Sequence, residues 1–540
     1  MLLLAFVQGF RTTHDLHWAA DADFDRDISY VQGTLDGHFG MDPSYAGEYL
    51  WYNPLLFSVE TALVKITGMP INDIVTQAGS WLNLLAPAAF FAMAALLFSF
   101  EIGIASTLAF LFLSSGNIPG WGAATYSPWL YPVCFAQWLF YIDILLCYKA
   151  FSTRKTSWFI ALGAMTGLLF LGHAAPAIIM VLLITLLQAA NFWEALRKKD
   201  RSAATGYLSQ SILTAVAFII TSLPLTWYVV GKYHLHSLNR EAFEYAEGIF
   251  IPKNFPAMIK ANLSVTLLVS AVGFVWFWKK ITDGLLKKII LGWVGLAAFL
   301  YCYSTLIAQL DWKYHIHLPG TVPSFHYFFY LKAAQSLFFG FGFIWLFQLA
   351  LRRIAPTVNP SATTLILAAA VLLCSLAYYP IYSHREDFTA LRNAAIYKEQ
   401  QKDKVDAYHF IVRNVPSDGV ILCPPDSSSI FPVMATGRKM VSTAYTFSNP
   451  YVNFMSRETD RISMLQYLQS GEPASARETF RRYKVTYALV PNRFLEDSTL
   501  KIQARTVYHN DTYSLFHLTI DTQNSANNVS TPRSKDKTGL

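Results

Sequence analysis

The segment DADFDRDISY, residues 21–30, places four aspartates shortly after an apolar start, MLLLAFVQGF, residues 1–10. Hydrophobic residues make up 54% of the 540-residue chain, and charged residues only 14%. Such a chain is too apolar for an ordinary soluble enzyme, and its apolar runs repeatedly approach the roughly 20 residues that cross a bilayer. Because ionisable groups in membrane proteins are few and costly, an acidic cluster beside the lipid predicts a functional site.

The apolar runs predict a mainly α-helical membrane protein with about eleven transmembrane helices. The first helix is expected to be truncated at Met1, because the opening run is too short to span and lacks a signal peptide's basic start. The remaining spans are predicted over residues 81–100, 102–115, 130–149, 157–172, 174–190, 207–230, 263–278, 288–308, 326–350 and 362–383.

Lysine and arginine cluster in alternate connections between these spans, which predicts the cytoplasmic side because both residues are retained there. The clusters occupy residues 149–155, 197–201, 279–288 and 352–353. The acidic loop 11–53 and the loop 309–326 then face the other side, in an integral multi-pass protein of a bacterial or archaeal membrane. The net charge of +7 reflects this topology, and no nucleic-acid partner is predicted.

The composition changes near residue 385, where a transmembrane core over residues 1–384 gives way to a small extracytoplasmic α/β domain over 385–521. The polar tail, 522–540, is predicted to be disordered. Short strands are predicted over 419–423, 439–443, 485–490 and 512–518, and helices over 400–414, 459–470 and 474–483.

The spacing of the aspartates brings carboxylates together in either backbone conformation. In a helix, Asp21 with Asp25 and Asp23 with Asp27 form i,i+4 pairs, whereas in an extended segment all four share one face. Like charges so close raise one another's pKa or recruit a cation, which suits a general base or a divalent metal site. A solvated surface loop with helix-capping aspartates is the alternative.

Aromatic and acidic side chains continue along the same loop. They are Tyr30, Asp36, His38, Asp42, Tyr45, Glu48, Tyr49, Trp51 and Tyr52. This mixture suits sugars, because their hydroxyl groups need acceptors while their C–H faces stack on rings.

The order of an apolar helix, the motif DxDFDRDxxY and then GEYLWYNPLL, residues 47–56, resembles the first external loop of GT-C glycosyltransferases. These polytopic enzymes take sugars from polyprenyl-phosphate carriers. The resemblance implies that Asp25 or Asp27, ahead of Tyr30, acts as the base or a metal ligand. Arg26 separates the two aspartates, which leaves open which of them is the base.

FLGHAAPAI, which contains His173, resembles a histidine-bearing helix end of the same family, and the C-terminal region resembles its α/β domain. The implied reaction transfers a sugar from a polyprenyl-phosphate donor to a glycan, lipid or protein acceptor on the extracytoplasmic face, with inversion. The substrate pocket would include Asp23, Tyr30, Glu48, Tyr52, His173 and His326. A divalent cation (Mg, Mn, Ca or Zn) at Asp25, Asp27 and His173 is an option; no other cofactor is expected.

The leaving lipid phosphate needs cationic partners. The principal candidates are Lys332, Arg240 and Lys313, with Lys232 and Lys253 as further ones. Lys332 lies inside an apolar stretch, where the alternative to phosphate binding is a side chain that snorkels to the membrane boundary.

Two other classes of protein share parts of this pattern. A polytopic transporter would carry its charges within the spans and show internal repeats, whereas this chain keeps them at one surface. A non-catalytic glycan assembly protein could use the same exported domain without the aspartate cluster.

Overall fold

A computed structural model of the protein describes residues 1–113, 125–239, 263–320, 322–354, 359–494, 500 and 503–519. Among these residues, those before 385 are mainly helical. The helices there are α1 (Leu2–Thr13), α2 (Ala22–Leu35), α3 (Leu55–Thr67), α4 (Ile71–Gln77), α5 (Gly79–Leu82), α6 (Leu85–Leu97), α7 (Phe100–Phe112), α8 (Pro132–Thr153), α9 (Thr156–Gly172), α10 (Ala174–Arg197), α11 (Arg201–Thr226, continued as a π-helix over Trp227–Lys232), α12 (Val265–Lys280), α13 (Gly284–Tyr314), α14 (Phe325–Ile354) and α15 (Pro360–Ser383).

Each predicted span overlaps at least one of these helices, and the span over 81–100 extends from the end of α5 through α6 to the start of α7. Within the described ranges, seven helical stretches are long and apolar enough to cross a membrane, and α7 and α9 are shorter apolar helices. The protein is therefore an integral membrane protein, as its composition predicts, while the count of eleven spans stays a prediction.

Helix boundaries follow local chemistry. Pro132 opens α8 at a position where its missing N–H costs no hydrogen bond. Asp283 caps α13 by accepting from the backbone N–H groups of Leu285 and Leu286. Gly68 ends α3 in the left-handed conformation, at φ +70°.

Glycines allow the membrane helices to approach one another closely. A Cβ atom on Gly163 of α9 would lie 2.2 Å from the carbonyl oxygen of Thr214 in α11, and one on Gly273 of α12 would lie 1.8 Å from that of Phe338 in α14. These contacts leave no room for a larger residue, as is common where helices pack through small residues in a bilayer.

The C-terminal part contains a five-stranded sheet in the order β2-β1-β3-β5-β4. Strands β2, β1 and β3 run parallel, whereas β5 is antiparallel to both β3 and β4. Its elements are α16 (Glu386–Glu399), α17 (Lys402–Asn414), β1 (Val420–Leu422), α18 (Ser427–Met434), β2 (Lys439–Met440), α19 (Phe454–Ser470), α20 (Ala476–Tyr483), β3 (Val485–Pro491), β4 (Ala504–His509) and β5 (Tyr513–Leu518).

The four predicted strands and three predicted helices of this region are confirmed, while β4, α16 and α18 are additional. The first loop and this sheet are joined, because Tyr45 forms an isolated parallel bridge with Met440 of β2. Helix α16 also reaches back to the start of the chain, where Arg392 donates to both carboxylate oxygens of Asp15 at 2.7 Å.

Candidate active site

The aspartate segment is helical, so the i,i+4 alternative describes it. Asp21 caps α2 by accepting the N–H of Asp23 at 3.2 Å, and the helix then carries the remaining acids inward. Asp25 and Asp27 are each 3% exposed and Arg26 is 8% exposed. These groups belong to the protein interior rather than to a solvated loop.

Asp25 is held in an ion pair. Lys398 of α16 donates to its two carboxylate oxygens at 2.8 and 2.9 Å, and the same ammonium group lies 5.6 Å from the ring centre of Trp18. A general base needs a free oxygen within hydrogen-bond reach of its substrate. With both oxygens engaged, Asp25 acts in this arrangement as an anchor between α2 and α16.

Asp27 keeps one oxygen free. Arg26 donates through Nε to Asp27 Oδ1 at 2.9 Å and through Nη1 to Asp23 Oδ1 at 2.6 Å. Asp27 Oδ2 is buried and has no hydrogen-bond partner among the described residues. Burial, opposed by the charge of Arg26, raises the pKa of the Asp27 carboxyl to about 7. That pKa suits a base working near neutral pH.

Aromatic rings form one wall of this cluster. The guanidinium of Arg26 lies 4.0 Å from the ring centre of Tyr52, which in turn stacks on Tyr30 with centres 5.9 Å apart. Tyr30 also stacks on Phe57 of α3 at 4.8 Å. These contacts bring the DxDFDRDxxY segment against Tyr52 of the GEYLWYNPLL segment.

Glu60 of α3, which is not one of the predicted site residues, is close enough to Asp27 for their charges to interact. It is fully buried, and neither of its carboxylate oxygens has a hydrogen-bond partner in the described part of the chain. Burial, with the nearby charge of Asp27, raises the pKa of Glu60 well above its ordinary value. The available signal was an acidic residue isolated within an apolar helix, six positions after Pro54.

His173 and His326, two further predicted pocket residues, lie beside each other. His173 lies between α9 and α10 in an extended conformation. Its Nδ1 caps α10 by accepting a hydrogen bond from the N–H of Ala175. Its ring centre lies 4.8 Å from that of His326 at the start of α14. Asn53 of the GEYLWYNPLL segment donates to the carbonyl of Phe170, three residues before His173. This segment therefore contacts the end of α9 that precedes His173.

The later acids of the loop bind the C-terminal region. Arg457 of α19 donates to Glu48, and Arg438 donates to Asp36 at 2.9 Å. Glu48, which the resemblance assigns to the substrate pocket, thus has a cationic partner in the structure, and its contact with substrate stays a prediction.

The predicted phosphate-binding cations lie in different environments. Lys332 is 4% exposed, so its ammonium is enclosed by protein instead of snorkelling to water; it lies 5.9 Å from the ring centre of Phe328. Lys313 is exposed at the end of α13, 5.3 Å from the ring centre of Tyr314. Arg240 falls outside the described residues.

The suggested metal ligands do not form a coordination set. Asp25 is fully engaged by Lys398, Asp27 keeps one oxygen, and the Nδ1 of His173 is used as a helix cap. Over the ranges that the structure covers, no group of three or more His, Cys, Asp or Glu side chains could hold a metal ion. The residues present therefore do not fit a resident divalent cation at Asp25, Asp27 and His173.

The bundle, the helical first loop and the small C-terminal sheet together define the GT-C fold of membrane glycosyltransferases. ArnT from Cupriavidus metallidurans, in its crystal structure bound to undecaprenyl phosphate, matches with a TM-score of 0.56 at 12% identity, over 95% of this chain and 96% of that one. The apo oligosaccharyltransferase of Archaeoglobus fulgidus matches with a TM-score of 0.51 at 12% identity, over 91% of this chain and 69% of that one. No family model and no curated protein sequence matches the chain. At these identities the likeness establishes the fold, and it confirms the resemblance at that level.

Proposed function

We propose that the protein transfers a sugar from a polyprenyl-phosphate-linked donor to an acceptor on the extracytoplasmic face of the membrane. The observation that carries this proposal is the buried Asp27 carboxylate, which is oriented through one oxygen and unpaired at the other within the described chain. The GT-C fold supports the donor class, since ArnT of the same fold was crystallised with undecaprenyl phosphate.

Asp27 is the proposed general base. Its Oδ2 takes the proton from an acceptor hydroxyl. At the same time the oxygen of that hydroxyl forms a bond to the anomeric carbon of the sugar. The bond from the anomeric carbon to the phosphate oxygen breaks, and its electron pair leaves with the lipid phosphate. Attack opposite the leaving group inverts the anomeric configuration.

The neighbours of Asp27 have distinct proposed roles. Arg26 orients the Asp27 carboxylate and is itself held by Asp23. Tyr30 and Tyr52 offer ring faces to the sugar, while His173 and His326 border the same region. Lys332, a cation enclosed within α14, is the proposed partner of the departing phosphate, because charge stabilisation is strongest in a dry site.

The test uses the purified full chain in vesicles with a panel of radiolabelled polyprenyl-phosphate monosaccharides. A membrane extract supplies glycan, lipid and protein acceptors, and parallel reactions contain a chelator. The expected result is label transfer from one donor, with loss in Asp27→Asn and retention in Asp15→Asn, a first-loop carboxylate paired with Arg392. Equal transfer by the wild-type and Asp27→Asn proteins would contradict the assigned base.

A further inference from the structure

A cavity of about 430 Å³ lies between α9, α10 and α11. Its lining is largely apolar and includes Val181, Ile184, Leu208 and Phe218. The first α10 residue that lines it is Val181, eight positions after His173. Eight residues of α-helix correspond to about 12 Å between the cavity and His173. The cavity is therefore separate from the aspartate cluster and extends from the middle of these helices toward the end opposite His173.

One polar side chain within this cavity lacks a partner. Gln188 of α10 lines the cavity and is 5% exposed, and neither its Nε2 nor its Oε1 has a hydrogen-bond partner in the described ranges. A primary amide left unpaired at membrane depth is costly. A ligand that brings a hydrogen-bond acceptor or donor to Gln188 would remove this cost.

A cationic residue lies near the cavity. Arg154 lies in the turn between α8 and α9, and its backbone carbonyl accepts a hydrogen bond from the side chain of Gln210 in α11 at 3.0 Å. The guanidinium of Arg154 lies 5.4 Å from the ring centre of Tyr207. Ser211, the residue after Gln210, lines the cavity. Arg154 thus stands within about one helical turn, roughly 5 Å, of the level at which the cavity begins.

Positive charge is in excess at this end of the three helices. The cationic residues there are Arg154, Lys155, Arg197, Lys198, Lys199 and Arg201, and the acidic ones are Glu194 and Asp200. Glu194 is paired with Lys198, and Asp200 caps α11. The cavity consequently lies beneath a basic surface, on the side that the distribution of charges predicts to be cytoplasmic.

We propose that α9, α10 and α11 bind an anionic diacyl phospholipid, with its phosphate at Arg154, an ester carbonyl at the Gln188 amide and an acyl chain in the cavity. Basic pockets between helices at the cytoplasmic side are suited to anionic head groups. The ester carbonyl distinguishes this ligand from a polyprenyl phosphate, whose chain offers Gln188 no acceptor. The site does not depend on the proposed glycosyl transfer.

The test reconstitutes the full chain in phosphatidylcholine vesicles that contain a small amount of phosphatidylglycerol or phosphatidylcholine with a diazirine on the acyl chain. After irradiation, mass spectrometry maps the labelled peptides. The phosphatidylglycerol probe should label residues 181–192 and 208–218 several-fold more than the phosphatidylcholine probe. Equal labelling by the two probes would overturn the proposal, because it would indicate unselective lipid contact.

Two pairs of variants locate the head group and the chain. Arg154→Gln should reduce labelling about fivefold, the effect of one cationic side chain, whereas Arg353→Gln at the end of α14 should leave it unchanged. Ser211→Phe should block the cavity, whereas Ser209→Phe, on the exposed side of the same helix, should not. Unchanged labelling in both Arg154→Gln and Ser211→Phe, or stronger competition by undecaprenyl phosphate than by phosphatidylglycerol, would overturn the proposal.

Discussion

Lys398 donates to both carboxylate oxygens of Asp25, at 2.8 and 2.9 Å, although the two residues are 373 positions apart in the chain. The pair connects α2, the helix of the first loop, with α16, the helix that follows α15. The Asp25 side chain is 4% exposed and that of Lys398 is 22% exposed. The ion pair is thus a fixed joint between the candidate active site and the C-terminal region.

Breaking this joint at one partner should destabilise the protein. In Lys398→Met the Asp25 carboxylate stays buried without its cation, and we expect a loss of about 3 kcal/mol, the usual cost of an uncompensated buried charge. Thermal unfolding of the purified protein measures the change. The double variant Lys398→Met with Asp25→Asn should recover most of the loss, because it removes the unpaired charge; an unchanged midpoint in Lys398→Met would contradict this role.

The two aspartates that flank Arg26 should differ in their catalytic effect. Asp27→Asn removes the proposed base and should lower kcat by about 10²–10⁴ at equal folded fraction. Asp25→Asn should chiefly lower the unfolding temperature. Turnover and unfolding measured on the same preparations separate the two effects, and a greater loss of kcat in Asp25→Asn at equal folded fraction would exchange the assignments.

The proposed base also predicts a pH dependence. Burial raises the pKa of Asp27 to about 7, so the carboxyl is protonated and inactive below that pH and becomes competent above it. We expect kcat/KM to fall about tenfold for each pH unit below the pKa. Asp23→Asn should shift this decrease of kcat/KM to lower pH. The substitution removes a negative charge near Asp27 and leaves Arg26 to pair with Asp27 alone, and both changes lower the pKa of Asp27. A decrease at the same pH in both proteins would exclude Asp23 as a determinant of this pKa.

Much of the architecture follows from local sequence signals. The length of the apolar runs predicts the membrane helices. Once α2 is helical, the i,i+4 spacing of the aspartates determines which of them lie on the same face. The missed strand β4 is at the edge of the sheet, where its exposed and half-buried residues give no alternating apolar pattern. A short strand whose main stabilisation is pairing with β5 leaves little trace in its own sequence.

The site was harder to predict because its decisive contacts join distant parts of the chain. The sequence could not distinguish Asp25 from Asp27, since the distinction comes from Lys398 in α16. For Glu60 the sequence shows an acidic residue in an apolar helix, but only tertiary packing decides that this residue is buried rather than facing water. Burial and partner choice arise from tertiary packing, to which local periodicity is insensitive.

Glu60 leads to a prediction about stability that does not depend on turnover. Because burial raises its pKa in the folded protein, the unfolded chain loses this proton at a lower pH than the folded one does. The free energy of unfolding should therefore decrease as the pH rises above the ordinary glutamate range, by at most about 1.4 kcal/mol per pH unit for this proton. Glu60→Gln keeps the size of the side chain and removes the titration, so it should gain stability relative to the wild type as the pH rises from 5 to 8. Thermal unfolding across this pH range measures the difference, with Glu478→Gln on the exposed face of α20 as the control. If the wild-type and Glu60→Gln proteins gave parallel pH profiles, Glu60 would be ionised and solvated in the folded state.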